Sequence, residues 1–118
     1  MQAYVLERSA KRLYAAMILN ELVNEASFES IQNTYSDHSV VGGGKTARID
    51  RGYLEELQTN SATFSHMVTN FASMVGFDDV SELLRGLTGR IAFGVRPDLL
   101  PLCEIPFVKA ARARTLFR

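Results

Sequence analysis

Lys109, Arg112 and Arg114, close together near one end of the chain, are the residues whose type and spacing best suit a phosphate. They belong to a compact pattern: a short helix at 98–104, a hairpin Ile105-Pro106-Phe107-Val108, and a second helix opened by basic residues. That is the layout of a helix-hairpin-helix clamp, in which the free N–H groups of a helix start and flanking cations hold a phosphate oxygen. Such hairpins commonly carry glycine so that the backbone can approach the phosphate closely, and here Phe107 and Lys109 stand in those places. A packing hairpin with a solvated basic face fits the same residues, and on sequence alone both readings stand.

A second glance at phosphate chemistry falls on Gly42-Gly43-Gly44-Lys45-Thr46, which looks like the end of a nucleotide-binding loop. The full pattern requires a glycine where this chain has Ser39, and a buried apolar strand leading into the loop. The preceding residues 33–39 are polar, so the run reads as a solvated loop and no cofactor is assigned to the chain. Conventional catalysis and metal binding find no footing. His38 and His66 are too few and too far apart for ligand spacing, Cys103 lies on an apolar helix face, and Glu55 and Glu56 diverge because they are adjacent on a helix. A helix-turn-helix outline across 28–35 and 51–57 carries Glu55 and Glu56 where base-reading side chains are wanted, and its connector is long.

Helical periodicity supplies the elements that would position these groups. Leu13, Met17, Ile18 and Leu22 form one inward stripe, and Ser27 can cap a short helix over 28–35 with Phe28 and Ile31 inside. Asp50 can cap a third helix with Tyr53, Leu54 and Leu57 on its apolar side. Phe64, Met67, Val68, Phe71 and Val75 then repeat at helical spacing up to Gly76, and Val80, Leu83, Leu84, Leu87 and Ile91 do so after Asp78-Asp79. Only 90–95 tempts a strand assignment. Pro97 suits the first turn of a short helix holding Leu99, Leu100, Leu102 and Cys103, and 108–117 forms the last helix. The expectation is an all-α fold of six to seven helices, a compact orthogonal bundle over 1–95 with the hairpin-helix pair over 96–118.

The 118 residues suffice for one domain with its own core. Thirteen bases balance thirteen acids, so bulk charge announces no nucleic-acid partner, and one cysteine excludes an internal disulfide. No apolar run reaches membrane-spanning length. The charge is not balanced locally: 52–84 carries a net −5 and 85–118 a net +5, so the last third is where a phosphate backbone meets attraction. Both ends of the chain read as helix in mid-course, which suits a piece of something larger.

Taken together, RLYAAMILNELVNE, IDRGYLEELQTNSATFSHMVTNFASMVGFDDVSELL and GRIAFGVRPDLLPLCEIPFVKAARARTLF resemble the helical domain near the end of the helicase region in the DNA polymerase theta and helicase POLQ-like family. The most specific pieces are Leu22-Val23-Asn24-Glu25, Arg51-Gly52, Arg90 with Phe93-Gly94, and Ala111-Arg112-Ala113-Arg114 with Leu116-Phe117. The resemblance implies a nuclear, ATP-dependent superfamily-2 DNA helicase of double-strand-break repair, with or without a fused polymerase. Its motor domains, absent from this chain, would bind ATP and Mg2+. The present chain would be a non-catalytic, ratchet-type domain that engages single-stranded DNA and packs on those motors. In that role Phe64 matches an aromatic that stacks on a base; the alternative is that Phe64 belongs to the core stripe. Lys109, Arg112 and Arg114 would meet phosphates. Related helicases have a shorter connector before Arg51-Gly52, and some place a base before the stacking aromatic where Glu55, Glu56 and Leu57 stand here. The alternative function is a helical interaction module whose acidic middle docks another protein or domain without touching nucleic acid.

Overall fold

The computed structural model describes residues 1–35 and 49–118. The glycine-rich run at 42–46, His38 and the connector of the helix-turn-helix outline lie outside the described residues. Within them the chain is all-α: α1 Gln2–Val23, α2 Phe28–Tyr35, α3 Arg51–Met74, α4 Asp78–Phe93, a 3-10 turn Pro97–Leu99, α5 Leu100–Cys103 and α6 Ala110–Phe117. No strand occurs among the described residues, and 90–95 holds the last turn of α4 and the Gly94 turn that ends it. The molecule measures 50 × 42 × 18 Å, little more than two helix layers thick.

Only the last turns of α1 are buried. Ile18 and Leu22 join Ile31 of α2 and Leu54 of α3 in one cluster, with Phe28 and Leu57 packed against it. Leu13 and Met17, expected on the same inward stripe, are exposed. α2 reaches along α1 as far as Tyr14, whose hydroxyl donates to the Tyr35 carbonyl at 2.8 Å while the two rings meet edge to face. Beyond that contact no described element of the chain covers α1. The Ser27 hydroxyl accepts the Ser30 N–H at 3.1 Å, the expected cap of α2.

α3 is one continuous helix where the sequence pattern suggested two. The polar stretch between them contains no glycine or proline, and Thr63 returns a hydrogen bond to the Thr59 carbonyl at 3.0 Å, so nothing interrupts the ladder. Gly76, with φ +89°, then ends the turn after α3, and Gly94, with φ +63°, ends α4. Gly94 has a second constraint, since a Cβ there would stand 3.1 Å from the Gln58 amide nitrogen and 3.5 Å from the Leu22 carbonyl.

The seam between α3 and α4 is built from small polar residues. Thr69 and Ser81 are each only 3% exposed. The Ser65 and Thr88 hydroxyls lie 2.6 Å apart, and Ser81 donates to the Thr69 carbonyl at 3.2 Å. Small side chains let the backbones approach, and every hydroxyl finds a partner in its own or the facing helix. The apolar stripes, by contrast, face outward. Phe64, Met67, Phe71, Val75, Val80, Leu83 and Leu87 are all exposed.

A second buried cluster holds the end of the chain: Val95, Leu99, Cys103 and Ala113, with Leu100, Leu102 and Val108 against it. Cys103 is core, as its apolar face suggested, and burial raises its thiol pKa. α6 starts at Ala110 rather than at 108, because Val108 is still part of the hairpin, its N–H bonded to the Ile105 carbonyl at 3.1 Å.

Candidate nucleic-acid interface

The hairpin and the start of α6 decide what the basic residues can do. Pro106 fixes φ at the second turn position, and Phe107 takes the left-handed conformation at φ +67° at the third. Lys109 is extended at the N-cap of α6, with no side-chain cap, so the N–H groups of Ala110, Ala111 and Arg112 precede the first helical bond, from Ala113 to Lys109. Lys109 and Arg112 are exposed. The Arg112 guanidinium donates to the Phe107 carbonyl at 3.1 Å, which braces the hairpin and leaves the charge unneutralised by any described carboxylate.

Arg114 differs. Its guanidinium turns inward, with 29% of the side chain exposed. It donates from Nε to Glu25 Oε1 at 2.8 Å and pairs a second nitrogen with Glu25 Oε2. The third nitrogen reaches Asp98 Oδ2 at 3.2 Å, and the plane lies over the Phe117 ring at 5.5 Å. Arg96 stands 3.8 Å from the same Glu25 carboxylate. The Arg114 hydrogen bonds hold the Glu25 carboxyl below its ordinary pKa despite partial desolvation, and raise the already high pKa of Arg114.

Glu25 was not a sequence candidate, and its position explains its role. It follows α1 at φ +68°, the place where helices usually put glycine, and the Ala26 N–H closes the end by bonding the Glu21 carbonyl at 3.0 Å. A glutamate there costs backbone strain that a glycine would avoid, and the carboxylate so placed meets Arg114 from 89 residues along the chain. Arg90 adds a second tie, from its guanidinium to the Val23 carbonyl at 3.4 Å. Gln58 donates to the Ile91 carbonyl at 2.9 Å and so fixes α4 to α3 at the same end.

These contacts surround an open cleft of about 870 Å³. Glu25, Arg51, Gly94, Lys109 and Arg114 line it, with Phe28 beneath the Arg51 guanidinium at 5.3 Å. All four sequence pieces on which the resemblance rests therefore contribute to one wall or another of a single cleft. A shallower groove shares Glu55, Gln58 and Ala92 with it and runs on along Thr59 and Thr63 of α3. Phe64, 67% exposed, is not a core residue of the described chain. It stands on the outward stripe of α3 and lines neither groove, whereas Lys109 lines the larger one.

The fold thus defines an all-helical domain that has a basic helix start at one end and a large apolar face on its α3–α4 hairpin. The chain belongs to the family described as "DNA_pol_Q helicase like region helical domain", whose model matches residues 2–91. It is 33% identical over 107 residues to DNA polymerase theta of Drosophila melanogaster, covering 91% of this chain and 5% of that protein. It is 28% identical over 107 residues to the helicase POLQ-like of Homo sapiens, covering 90% and 9%. The ATP-dependent DNA helicase Hel308 of Aeropyrum pernix is 30% identical over 103 residues, covering 86% and 12%. The chain therefore spans a small fraction of the relatives it matches. The match ends at Ile91, so the Glu25–Arg114 pair ties the matched part to the hairpin-helix element beyond it.

Proposed function

We propose that this chain is the single-stranded-DNA-engaging helical domain of an ATP-dependent DNA helicase that acts in nuclear DNA repair. The observation that carries the reading is the uncapped start of α6, where Lys109 and Arg112 are exposed and unpaired with any described carboxylate. A phosphate there would meet backbone N–H groups and two cations at once, a sequence-independent contact of the kind a translocating enzyme needs. Arg114, engaged by Glu25 and Asp98, sets the direction of α6 instead of meeting the strand itself. Phe64 offers an exposed ring for stacking on a base, a contact tolerant of sequence. ATP and Mg2+ would be held by motor domains elsewhere in the parent protein. Titrating a labelled single-stranded oligonucleotide against the chain tests this. Affinity that falls with added salt and weakens in Arg112→Ala supports it; absent or salt-insensitive binding contradicts it.

A second reading, as a docking module, rests on a separate observation, the outward apolar face of α3 and α4. Phe64, Met67, Phe71 and Leu83 are large apolar side chains left exposed on two adjacent helices, and exposed apolar side chains gathered into a patch mark docking surfaces. The two readings are compatible: that face would meet the motor domains while the basic end meets DNA. Polar substitutions at Met67 and Leu83 that uncouple ATP turnover from unwinding in the parent helicase, with oligonucleotide affinity of the chain unchanged, would separate the two surfaces.

A further inference from the structure

Phe107 is the most conspicuous residue that neither the resemblance nor the basic cluster explains. Its side chain is 88% exposed, and no described residue covers it. Its backbone is left-handed at φ +67°, at the third position of a turn closed by the Val108 N–H on the Ile105 carbonyl. With Pro106 at the second position this is the pattern of a type II turn, which favours glycine or asparagine where Phe107 stands. A bulky side chain there is strained, and its exposure forfeits the burial that usually justifies an aromatic. Neither the turn nor the second core cluster needs the ring, since Val108 supplies the hairpin's contribution to that cluster.

The surroundings name the ligand chemistry. The Phe107 carbonyl is held by the Arg112 guanidinium at 3.1 Å, and Lys109 lies two residues on, extended and exposed. An exposed ring beside two exposed cations matches a ligand that alternates flat apolar faces with negative charges. A protein surface offers no such regular alternation, whereas a single strand of nucleic acid offers it at every nucleotide.

We infer that Phe107 is a base-stacking residue, which holds a nucleobase at the tip of the hairpin while Lys109 and Arg112 hold the adjoining phosphates. The inference rests on the proposed function and extends it to a second aromatic contact, on a different element from Phe64. The strain is then the consequence of placing a ring where the backbone prefers none, and the ring is rigidly presented because Pro106 and Arg112 fix the turn from both sides.

The chain contains no tryptophan, so Phe107→Trp introduces a unique fluorophore at the tip. Its emission should be quenched by a single-stranded oligothymidylate and left unchanged by an abasic oligomer of the same length. Phe107→Gly should weaken oligothymidylate binding about ten-fold, as base–aromatic stacking contacts do. Its salt dependence should stay the same, because the phosphate contacts remain, and Phe107→Tyr should bind like the unmodified chain. The thermal midpoint of Phe107→Gly should not fall, because glycine suits this turn. Equal quenching by the abasic oligomer, or undiminished affinity in Phe107→Gly, would overturn the inference while leaving the proposed function standing. Failure of the unmodified chain to bind any oligonucleotide would overturn both.

Discussion

The α3–α4 hairpin and the α5–α6 element solve the same packing problem in opposite ways. In the hairpin, hydroxyl-bearing and small residues form the seam and the large apolar side chains face outward. In the C-terminal element Val95, Leu99, Cys103 and Ala113 form an apolar core, Lys109 and Arg112 stand outside it, and the Glu25–Arg114 ion pair ties α6 to the end of α1. The two surfaces differ accordingly. A small-residue seam brings two long helices close together and leaves their large apolar side chains exposed, the kind of face the docking reading requires. The exposed cations at the start of α6 are the array the proposed phosphate contacts require.

The largest effect expected from this comparison lies in the seam. Ser81→Leu should destabilise the chain by about 1–3 kcal/mol in a denaturant titration, through overpacking and removal of a buried hydrogen bond. Phe71→Gln on the outer face should stay within about 0.5 kcal/mol of the unmodified chain, as exposed substitutions do. If the apolar stripe were the true core, the order of these two would reverse.

That reversal marks where the sequence stops being informative. Periodicity locates α2 and α4 and the glycine that follows α3, and the Ser27 cap and buried Cys103 are visible in the residues themselves. The direction of the apolar stripes is not, because a stripe at helical spacing is inward-facing only when a neighbour arrives. Among the described residues none arrives for Phe64, Phe71 or Leu83. At the candidate site, the charge pattern singles out Lys109 and Arg112, and both are exposed. The fate of Arg114 is not, because its partner Glu25 lies 89 residues away and sits in a backbone conformation that sequence rules assign to glycine.

A next-largest effect concerns the clamp. Arg114→Ala should lower the thermal midpoint and speed amide exchange across α6, while Arg112→Ala, which loses one exposed hydrogen bond to the Phe107 carbonyl, should do so to a smaller extent. Equal effects would mean that Arg114 is as free as Arg112. Glu25→Gln should also raise rather than keep the rate of exchange in α6, since a neutral amide cannot replace the carboxylate between Arg114 and Arg96.

The smallest effect is in pH. The Glu25 carboxyl is held below the ordinary value of 4.5 by its Arg114 hydrogen bonds. A lowered folded-state pKa contributes stability that is fully present above that ordinary value and is lost as the pH falls through the folded pKa. Acidification below about 4.5 should therefore loosen α6 in the unmodified chain, and Glu25→Gln should flatten that part of the stability–pH curve. A curve unchanged by Glu25→Gln would show that the pair contributes nothing measurable.

The most direct test of the account is the salt dependence of single-strand binding, compared between the two regions. With Lys109→Ala and Arg112→Ala together, the slope of log affinity against log salt should shrink by about 0.7 for each phosphate no longer neutralised. With Phe64→Ala the affinity should fall while the slope stays the same and unfolding remains cooperative. A full slope retained after removal of both bases, or a slope that drops on changing Phe64, would contradict the assignment of phosphate contacts to the start of α6.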